Sequence, residues 1–363
     1  MTANTLSLDG KTIPFNEGDS VLEVAKANGV EIPSLCFDPR LKPAGACRTC
    51  LVEVEGQRRL IPSCATVAKP GMKVSTTSTK VDKHQKLLAA LYLSDNVSEN
   101  QTHDTADASQ LHAWAKNVNA PTDWPKLEST RFKRPNDKNP YIEFREDRCI
   151  LCARCTRYCE EVEGVSAISL LGRGADTTIG TADNQSLMDT TCELCGGCID
   201  TCPTGAMTEK LPLTQMLKPA KELTKVRTTC NYCGVGCQMD LNVDPKANQG
   251  RGKVVKVTSP PTGTAPNDGN LCVKGRFAYN FVDHPDRLSK ALVKQPNGEF
   301  KETPLKEAIH IAAKGLLNVK EKYGPNALGF VSSSRCTMEE NYLVQKLARA
   351  AFGTNNCHQC AAT

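Results

Sequence analysis

Hydrophobic and polar positions alternate at the start of the chain. Across residues 4–15 the alternation is broken at Asp9-Gly10, which predicts two strands joined by a tight turn. Asp19-Ser20 then opens a short helix that reaches about Asn28 and is closed by Gly29. Residues 80–93 (KVDKHQKLLAALYL) carry apolar side chains at helical spacing. From 94 to 140 polar residues dominate, and Pro121, Pro125, Pro135 and Pro140 interrupt the pattern. That stretch reads as a connector holding one short helix. Residues 241–268 are valine-rich but cut by Gly, Pro and Asn, which predicts a small sheet with loops. Thr303 as cap and Pro304 at the first helical position predict a helix to about Lys322. Residues 327–331 read as a buried strand, and Thr337 with Glu340 as a capping box for a helix ending at Gly353. Helix–strand–helix begins an α/β layer, so the last domain is expected to be unfinished where the sequence stops.

Composition adds two bounds. A chain of 363 residues accommodates two or three domains, and 5% aromatic residues argue against one large core. No apolar run is long enough for a transmembrane helix, and MTANTLSLDGKTIPF lacks the features of an export leader. The expected location is therefore cytoplasmic. There, 19 cysteines point to metal sites rather than disulfides.

The cysteines fall in blocks. Cys149-x2-Cys152-x2-Cys155-x3-Cys159 and Cys192-x2-Cys195-x2-Cys198-x3-Cys202-Pro203 form an internal repeat with bacterial ferredoxin spacing. In that pattern three close thiolates hold one cuboidal cluster and the fourth ligates the other. Cys149, Cys152, Cys155 and Cys202 are thus expected to bind one 4Fe–4S cluster, and Cys192, Cys195, Cys198 and Cys159 a second. Zinc sites, needing only four ligands, fit eight cysteines in this repeat poorly. The first block, Cys36-x10-Cys47-x2-Cys50-x13-Cys64, fits either a 2Fe–2S cluster or zinc from spacing alone. A third block, Cys230-x2-Cys233-x3-Cys237 with a distant Cys272, is equally ambiguous alone and reads as a further 4Fe–4S set beside the others. Lys274, two residues beyond Cys272, is either a solvated charge or a cation beside a redox cofactor.

The formal charge of +5 is misleading in this light. Four oxidised clusters with their thiolates contribute about −8 and bring the loaded chain to about −3, which does not imply a nucleic-acid partner.

With CNYCGVGC, GNLCVKGR and SSSRCTMEENYLVQKLARAAFGTNN in view, the chain resembles the N-terminal part of the catalytic (alpha) subunit of cytoplasmic molybdenum- or tungsten-dependent formate dehydrogenases, members of the molybdopterin oxidoreductases. The first 215 residues are also similar to the electron-entry subunit of respiratory complex I and to iron-only hydrogenases. The resemblance implies a multidomain α+β chain. A β-grasp 2Fe–2S ferredoxin-like module (1–78) would be followed by a helical connector without a cluster (79–140) and a bacterial-type 2x4Fe–4S ferredoxin module (141–215). The molybdopterin oxidoreductase 4Fe–4S domain (224–285) and a truncated start of the α/β molybdopterin-binding region (286–363) complete it.

It further implies a Mo- or W-bis-molybdopterin guanine dinucleotide in the full-length enzyme. The cargo would be formate and CO2, and the partners flavin/NAD-reducing or hydrogenase-type electron-acceptor subunits. Lys274 matches the family position between the proximal cluster and the pterin, which implies an electron-relay role. The alternative is a non-catalytic electron-wiring subunit of an NADH:quinone oxidoreductase or hydrogenase complex.

Two departures stand out. The relatives' His/Cys3 cluster has no counterpart, since the connector offers His84, His103 and His112 but no Cys, and these histidines are expected to be surface or packing residues. In the family the catalytic Cys or selenocysteine follows an Asn-Asn pair by about eight residues. Counting from Asn355-Asn356 places it immediately after Thr363, as expected for a reading frame stopped at a selenocysteine codon, so no catalytic residue lies within the chain. Cys357-His358 imitates that catalytic pair too early, and Cys336 and Cys360 are expected to be small packing residues. The 363 residues alone are expected to be inactive toward formate.

Overall fold

The computed structural model describes residues 4–96, 109–127, 137–211 and 222–360. The expectation for His103 falls outside them. The chain divides into two compact units: one of residues up to 224 together with 243–245 and 270–273, the other of the remaining C-terminal residues.

In the first unit, β1 (Thr5–Leu8) and β2 (Lys11–Pro14) form the expected hairpin, with Leu8 opposite Lys11. Asp9 and Gly10 both take positive φ at the turn. Helix α1 (Val21–Ala27) starts at a capping box. Ser20 Oγ accepts from the Glu23 N–H at 3.3 Å, and the Glu23 carboxylate accepts from the Ser20 N–H at 2.8 Å. Strands β3 (Leu51–Val54), β4 (Ile61–Pro62) and β5 (Lys73–Ser75) complete a sheet of order β2-β1-β5-β3-β4, in which β5 runs parallel to β1. Leu6, Leu8, Val52, Val54 and Val74 from the sheet meet Leu22 and Val24 from the helix, and Cys50 and Cys64 lie in the same core. Each such buried side chain contributes about 2 kcal/mol.

Helix α2 (Thr79–Ser94) covers the expected 80–93 pattern, and α3 (Gln110–Asn117) is the connector's short helix, capped by Ser109. They bury Ala89, Leu111, Trp114 and Ala115 against Leu35, Cys36, Cys47 and Cys152. Beyond them, β6 (Ile142–Phe144) pairs antiparallel with β9 (Met207–Glu209) and so brackets both cysteine repeats. Between those strands lie α4 (Arg154–Arg157), the hairpin β7 (Ser169–Leu171) with β8 (Thr178–Gly180), and α5 (Gly197–Thr201).

The second unit opens with a sheet of order β10 (Thr224–Thr229), β11 (Gln238–Asp244), β12 (Lys253–Thr258). The sheet starts earlier than the valine pattern at 241–268 suggested, because the segment leading into the cysteine loop pairs as well. Helix α6 (Val273–Phe277) and the hairpin β13 (Leu292–Lys294) with β14 (Phe300–Glu302) follow. Helix α7 (Leu305–Tyr323) corrects one expectation: Pro304, not Thr303, is its cap, and no side chain caps it. The Thr303 hydroxyl donates back to the Lys301 carbonyl at 3.2 Å instead of accepting from the first turn, and the Thr303 N–H continues the hairpin by donating to the Ala291 carbonyl at 3.0 Å.

Strand β15 (Phe330–Ser333) begins three residues later than expected, because Pro325–Ala327 form a 3-10 turn first. It pairs in parallel with β16 (Cys357–Cys360). Between them, α8 (Met338–Lys346) opens on the expected Thr337/Glu340 capping box and runs into a π-turn, Leu347–Phe352, stopped by Gly353 at φ 74°. No described helix is long and apolar enough to cross a membrane.

Candidate metal centres

Cys36, Cys47, Cys50 and Cys64 are all buried, at 2% exposure or less. The loop from Gly45 through Arg48 turns with positive φ at both residues and so folds Cys47 back onto Cys36. The Cys36 N–H donates to Cys47 Sγ at 3.3 Å, and the Cys47 N–H donates to Cys36 Sγ at 3.5 Å. Cys50 and Cys64 form a second pair, Sγ to Sγ 3.3 Å. Thr49 fixes the loop between the pairs: its hydroxyl accepts from the Leu35 N–H at 3.2 Å and lies 3.1 Å from Cys47 Sγ.

Within each pair one thiol is favoured as thiolate, the ligand form. The hydrogen bond from Cys47 pulls Cys36 down to about 5, and that from Cys64 pulls Cys50 down to about 6. The same bonds, with burial, push Cys47 and Cys64 up. Two pairs of thiols match a donor set for two irons, each taking two thiolates, better than the single point a tetrahedral zinc requires.

The ferredoxin-type repeats lie around two cavities. Cys149, Cys152, Cys155 and Cys202 line one, closed by Ile150, Ile179 and Met207. Cys159, Cys192, Cys195 and Cys198 line the other, with Ala167, Ile168 and Leu187. The crossed sets read from the spacing are the ones that share a cavity. Burial, reinforced by neighbouring sulfurs, raises Cys152 to about 11 and Cys155 well above the usual thiol range. Main-chain N–H groups point at sulfur throughout: Leu151 to Cys149, Leu194 to Cys192, Gly197 to Cys195 and Met207 to Cys202, each at 3.4 Å, and Ala167 to Cys159 at 3.2 Å. Such donors stabilise thiolates and tune clusters. Among the described residues, no three His, Cys, Asp or Glu side chains converge to hold a single metal ion.

The first three cysteines of the third block sit in the second unit. Cys230, Cys233 and Cys237 occupy the loop between β10 and β11, closed by the Cys230 N–H donating to the Cys237 carbonyl at 2.7 Å. Cys272, exposed, immediately precedes α6 and belongs to the 270–273 segment of the first unit. Lys274 is half-buried in the first turn of α6. Cys336 is exposed in the β15–α8 turn, so it is not the packing residue expected. His84 is half-buried, with Nε2 3.1 Å from the Arg48 carbonyl, and His112 is buried.

Three residues that the spacing did not single out join the first and second blocks. Asp38, 3% exposed, faces Arg40 Nε at 2.9 Å and Arg154 Nη2 at 3.3 Å. Burial opposes its charge, but hydrogen bonds from Arg40 outweigh that and hold its carboxyl below the usual range. Arg157 donates to the Cys36 carbonyl at 2.5 Å and the Lys42 carbonyl at 2.6 Å. The Nε atoms of Arg154 and Arg157 are buried without an acceptor among the described residues. Buried donors are rarely left so, and unpaired donors beside cysteine loops fit an added anionic group such as a sulfide-bridged cluster. The only local signal was the presence of arginines inside and just after a C-x-x-C-x-x-C run.

Known proteins carry the same parts in the same order. Residues 2–79 match the 2Fe-2S iron-sulfur cluster binding domain, and 139–208 the ferredoxin-like domain of NADH-quinone oxidoreductase subunit 3. Residues 223–284 match the molybdopterin oxidoreductase Fe4S4 domain, and 287–363 the molybdopterin oxidoreductase model. The alpha subunit of an NADPH-Fe(3+) oxidoreductase from Geobacter sulfurreducens is 34% identical over 97% of this chain and 40% of its own length. A formate dehydrogenase-like protein of Staphylococcus aureus is 29% identical over 98% of this chain and 39% of its own. A solved NAD+-reducing NiFe-hydrogenase is similar over 57% of this chain and 87% of its own, at 28% identity and a TM-score of 0.48. The chain thus spans about 40% of the length of the curated relatives it matches. It is an iron–sulfur chain with domains of the molybdopterin oxidoreductases.

Proposed function

We propose that this chain is the iron–sulfur electron-transfer portion of a formate dehydrogenase catalytic subunit. Residues 36–64 would hold a 2Fe–2S cluster, the crossed cysteine sets of the repeats two 4Fe–4S clusters, and Cys230, Cys233, Cys237 and Cys272 a third. The observation that carries the reading is the sharing of one cavity by each crossed set, in a chain that continues into the molybdopterin oxidoreductase Fe4S4 domain. When bound, the clusters supply one-electron carriers between a molybdenum or tungsten pterin centre and a flavin/NAD-reducing or hydrogenase-type partner.

The chain's own residues do the rest. Thr49 and the Gly45–Arg48 turn preorganise the first thiol pair. Leu35, Leu111 and Trp114 keep water from the region between Cys36, Cys47 and Cys152, so the first block borders the Cys149/Cys152/Cys155/Cys202 set. Lys274, at the start of α6, would serve as a cation between the last cluster and the pterin.

A second reading is favoured by the higher identity to the NADPH-Fe(3+) oxidoreductase subunit: an electron-wiring subunit fed by NADPH. The two separate in one experiment. The protein is purified anaerobically with its native partners from cells grown with or without molybdate and tungstate, and cluster reduction is followed by EPR. Formate should reduce the clusters only in metal-replete preparations, and iron analysis should give about 14 atoms per chain. Reduction by NADPH with none by formate in metal-replete protein would transfer the assignment to the wiring role, and zinc in place of iron would overturn both.

A further inference from the structure

Arg154 stands between Cys152 and Cys155 in sequence, yet its guanidinium serves the other cysteine loop. It is 8% exposed. Its Nη2 donates to Asp38 Oδ2 at 3.3 Å, and its Nη1 to the Leu35 carbonyl at 3.4 Å and to Gln110 Oε1 at 3.5 Å. Leu35 precedes Cys36, and Asp38 follows it by two residues. Cys36, Cys47 and Cys152 share one buried apolar cluster, so these charges act where water does not screen them. Asp38 also binds Arg40 at 2.9 Å, so three largely buried charges stand beside one cysteine loop, more than a clamp requires. Arg157 already holds the Cys36 and Lys42 carbonyls from the same helix. The buried Nε of Arg154 has no acceptor among the described residues, which leaves one donor of this guanidinium for a further anionic group.

We propose that Arg154 and Asp38 form a charge pair that sets the reduction potential of the Cys36/Cys47/Cys50/Cys64 centre, with Arg154 acting as a positioning residue across the two cysteine loops. The proposal rests on the reading of those four cysteines as a 2Fe–2S site. Reduction adds one electron to the centre and no proton, so nearby positive charge favours the reduced form and nearby negative charge the oxidised one. Arg154 therefore raises the potential and Asp38 lowers it. A lysine at 154 keeps the charge but loses the planar fork that bridges Leu35 and Asp38.

The test is an EPR-monitored redox titration, with dithionite and mediators, of the full chain carrying its clusters, alongside iron and sulfide content. Poised at the wild-type midpoint, Arg154→Gln should lower the reduced-to-oxidised ratio of the 2Fe–2S signal roughly tenfold, the order expected for removing one poorly screened charge. Arg154→Lys should recover most of the ratio, and Asp38→Asn should move it the opposite way. Shifts of the same sign in Arg154→Gln and Asp38→Asn, or none in either with iron retained, would overturn the tuning and leave a structural clamp. If Arg154→Gln loses its iron, Asp38→Asn decides: a raised potential supports the proposal, and an unchanged or lowered one overturns it. A wild-type protein with no 2Fe–2S signal overturns the cluster reading as well, whereas the other failures leave that reading standing.

Discussion

The two ferredoxin-type repeats share a spacing and a backbone but not an environment. In the first, Leu151 and Ala153 take φ of 54° and 57°; in the second, Leu194 and Gly196 take 53° and 73° at the same two positions. The ligand pattern alone therefore dictates how the loop wraps. The surroundings of the two loops differ. Cys149, Cys152 and Cys155 are buried, whereas Cys192, Cys195 and Cys198 are only half-buried. Arg154 in the first repeat corresponds to Gly197 in the second, where a Cβ would overlap the Tyr158 ring. Tyr158 is itself fixed, its hydroxyl donating to Asn270 at 2.6 Å and its ring lying under Arg40 at 4.8 Å. One position thus carries a charge in one repeat and makes room for an aromatic ring in the other. The comparison teaches that cysteine spacing goes with one loop conformation, while the positions between the cysteines set access and charge.

The largest break in that comparison is Gly197→Ala. A Cβ at 197 overlaps the Tyr158 ring, whose hydroxyl is held by Asn270, so the substitution should cost about 3 kcal/mol. Iron analysis should show the loss of about four atoms, from the second centre, while Arg154→Ala at the matching position retains them.

Asp38→Asn comes next and should cost about 2 kcal/mol by leaving Arg40 and Arg154 partly unpaired. The Asp38 carboxyl is held below its unfolded range, so its contribution is present above about pH 4 and is lost as the pH falls through the folded value. Urea unfolding midpoints should drop on acidification in the wild type, with a flatter dependence in the variant.

The exposure difference predicts a smaller effect. An external chelator or ferricyanide should bleach the Cys159/Cys192/Cys195/Cys198 centre before the enclosed one, as resolved by EPR of partly treated protein. The smallest effect is expected of His84→Ala, which should leave iron content unchanged and cost less than about 0.5 kcal/mol in a denaturant titration.

Local signals carried much of this architecture. The Asp9-Gly10 turn, the α1 start at Ser20, the helix at 80–93 and the Thr337/Glu340 box all depend on residues within four positions of one another, and each is present. The α7 cap failed because Thr303 belongs to the preceding hairpin: its hydroxyl turns back to the Lys301 carbonyl and its N–H to the Ala291 carbonyl. The shared cavities were legible because ferredoxin spacing encodes a crossing that the fold must honour. The Asp38–Arg154 pair was not, since its members are 116 residues apart and meet only when two modules pack. Gly197 carried no visible reason to be glycine until Tyr158 was seen above it.

The connector helices have a consequence of their own. With Ala89 and Leu111 fully buried and Trp114 nearly so, α2 and α3 wall the gap between two cysteine loops with hydrocarbon. Solvent dipoles, which must normally reorient whenever a nearby charge changes, have no place there. A change of charge at either loop is met by a medium that is almost rigid, so little energy is spent rearranging it. The two helices thereby lower the cost of moving charge between the loops they separate from solvent.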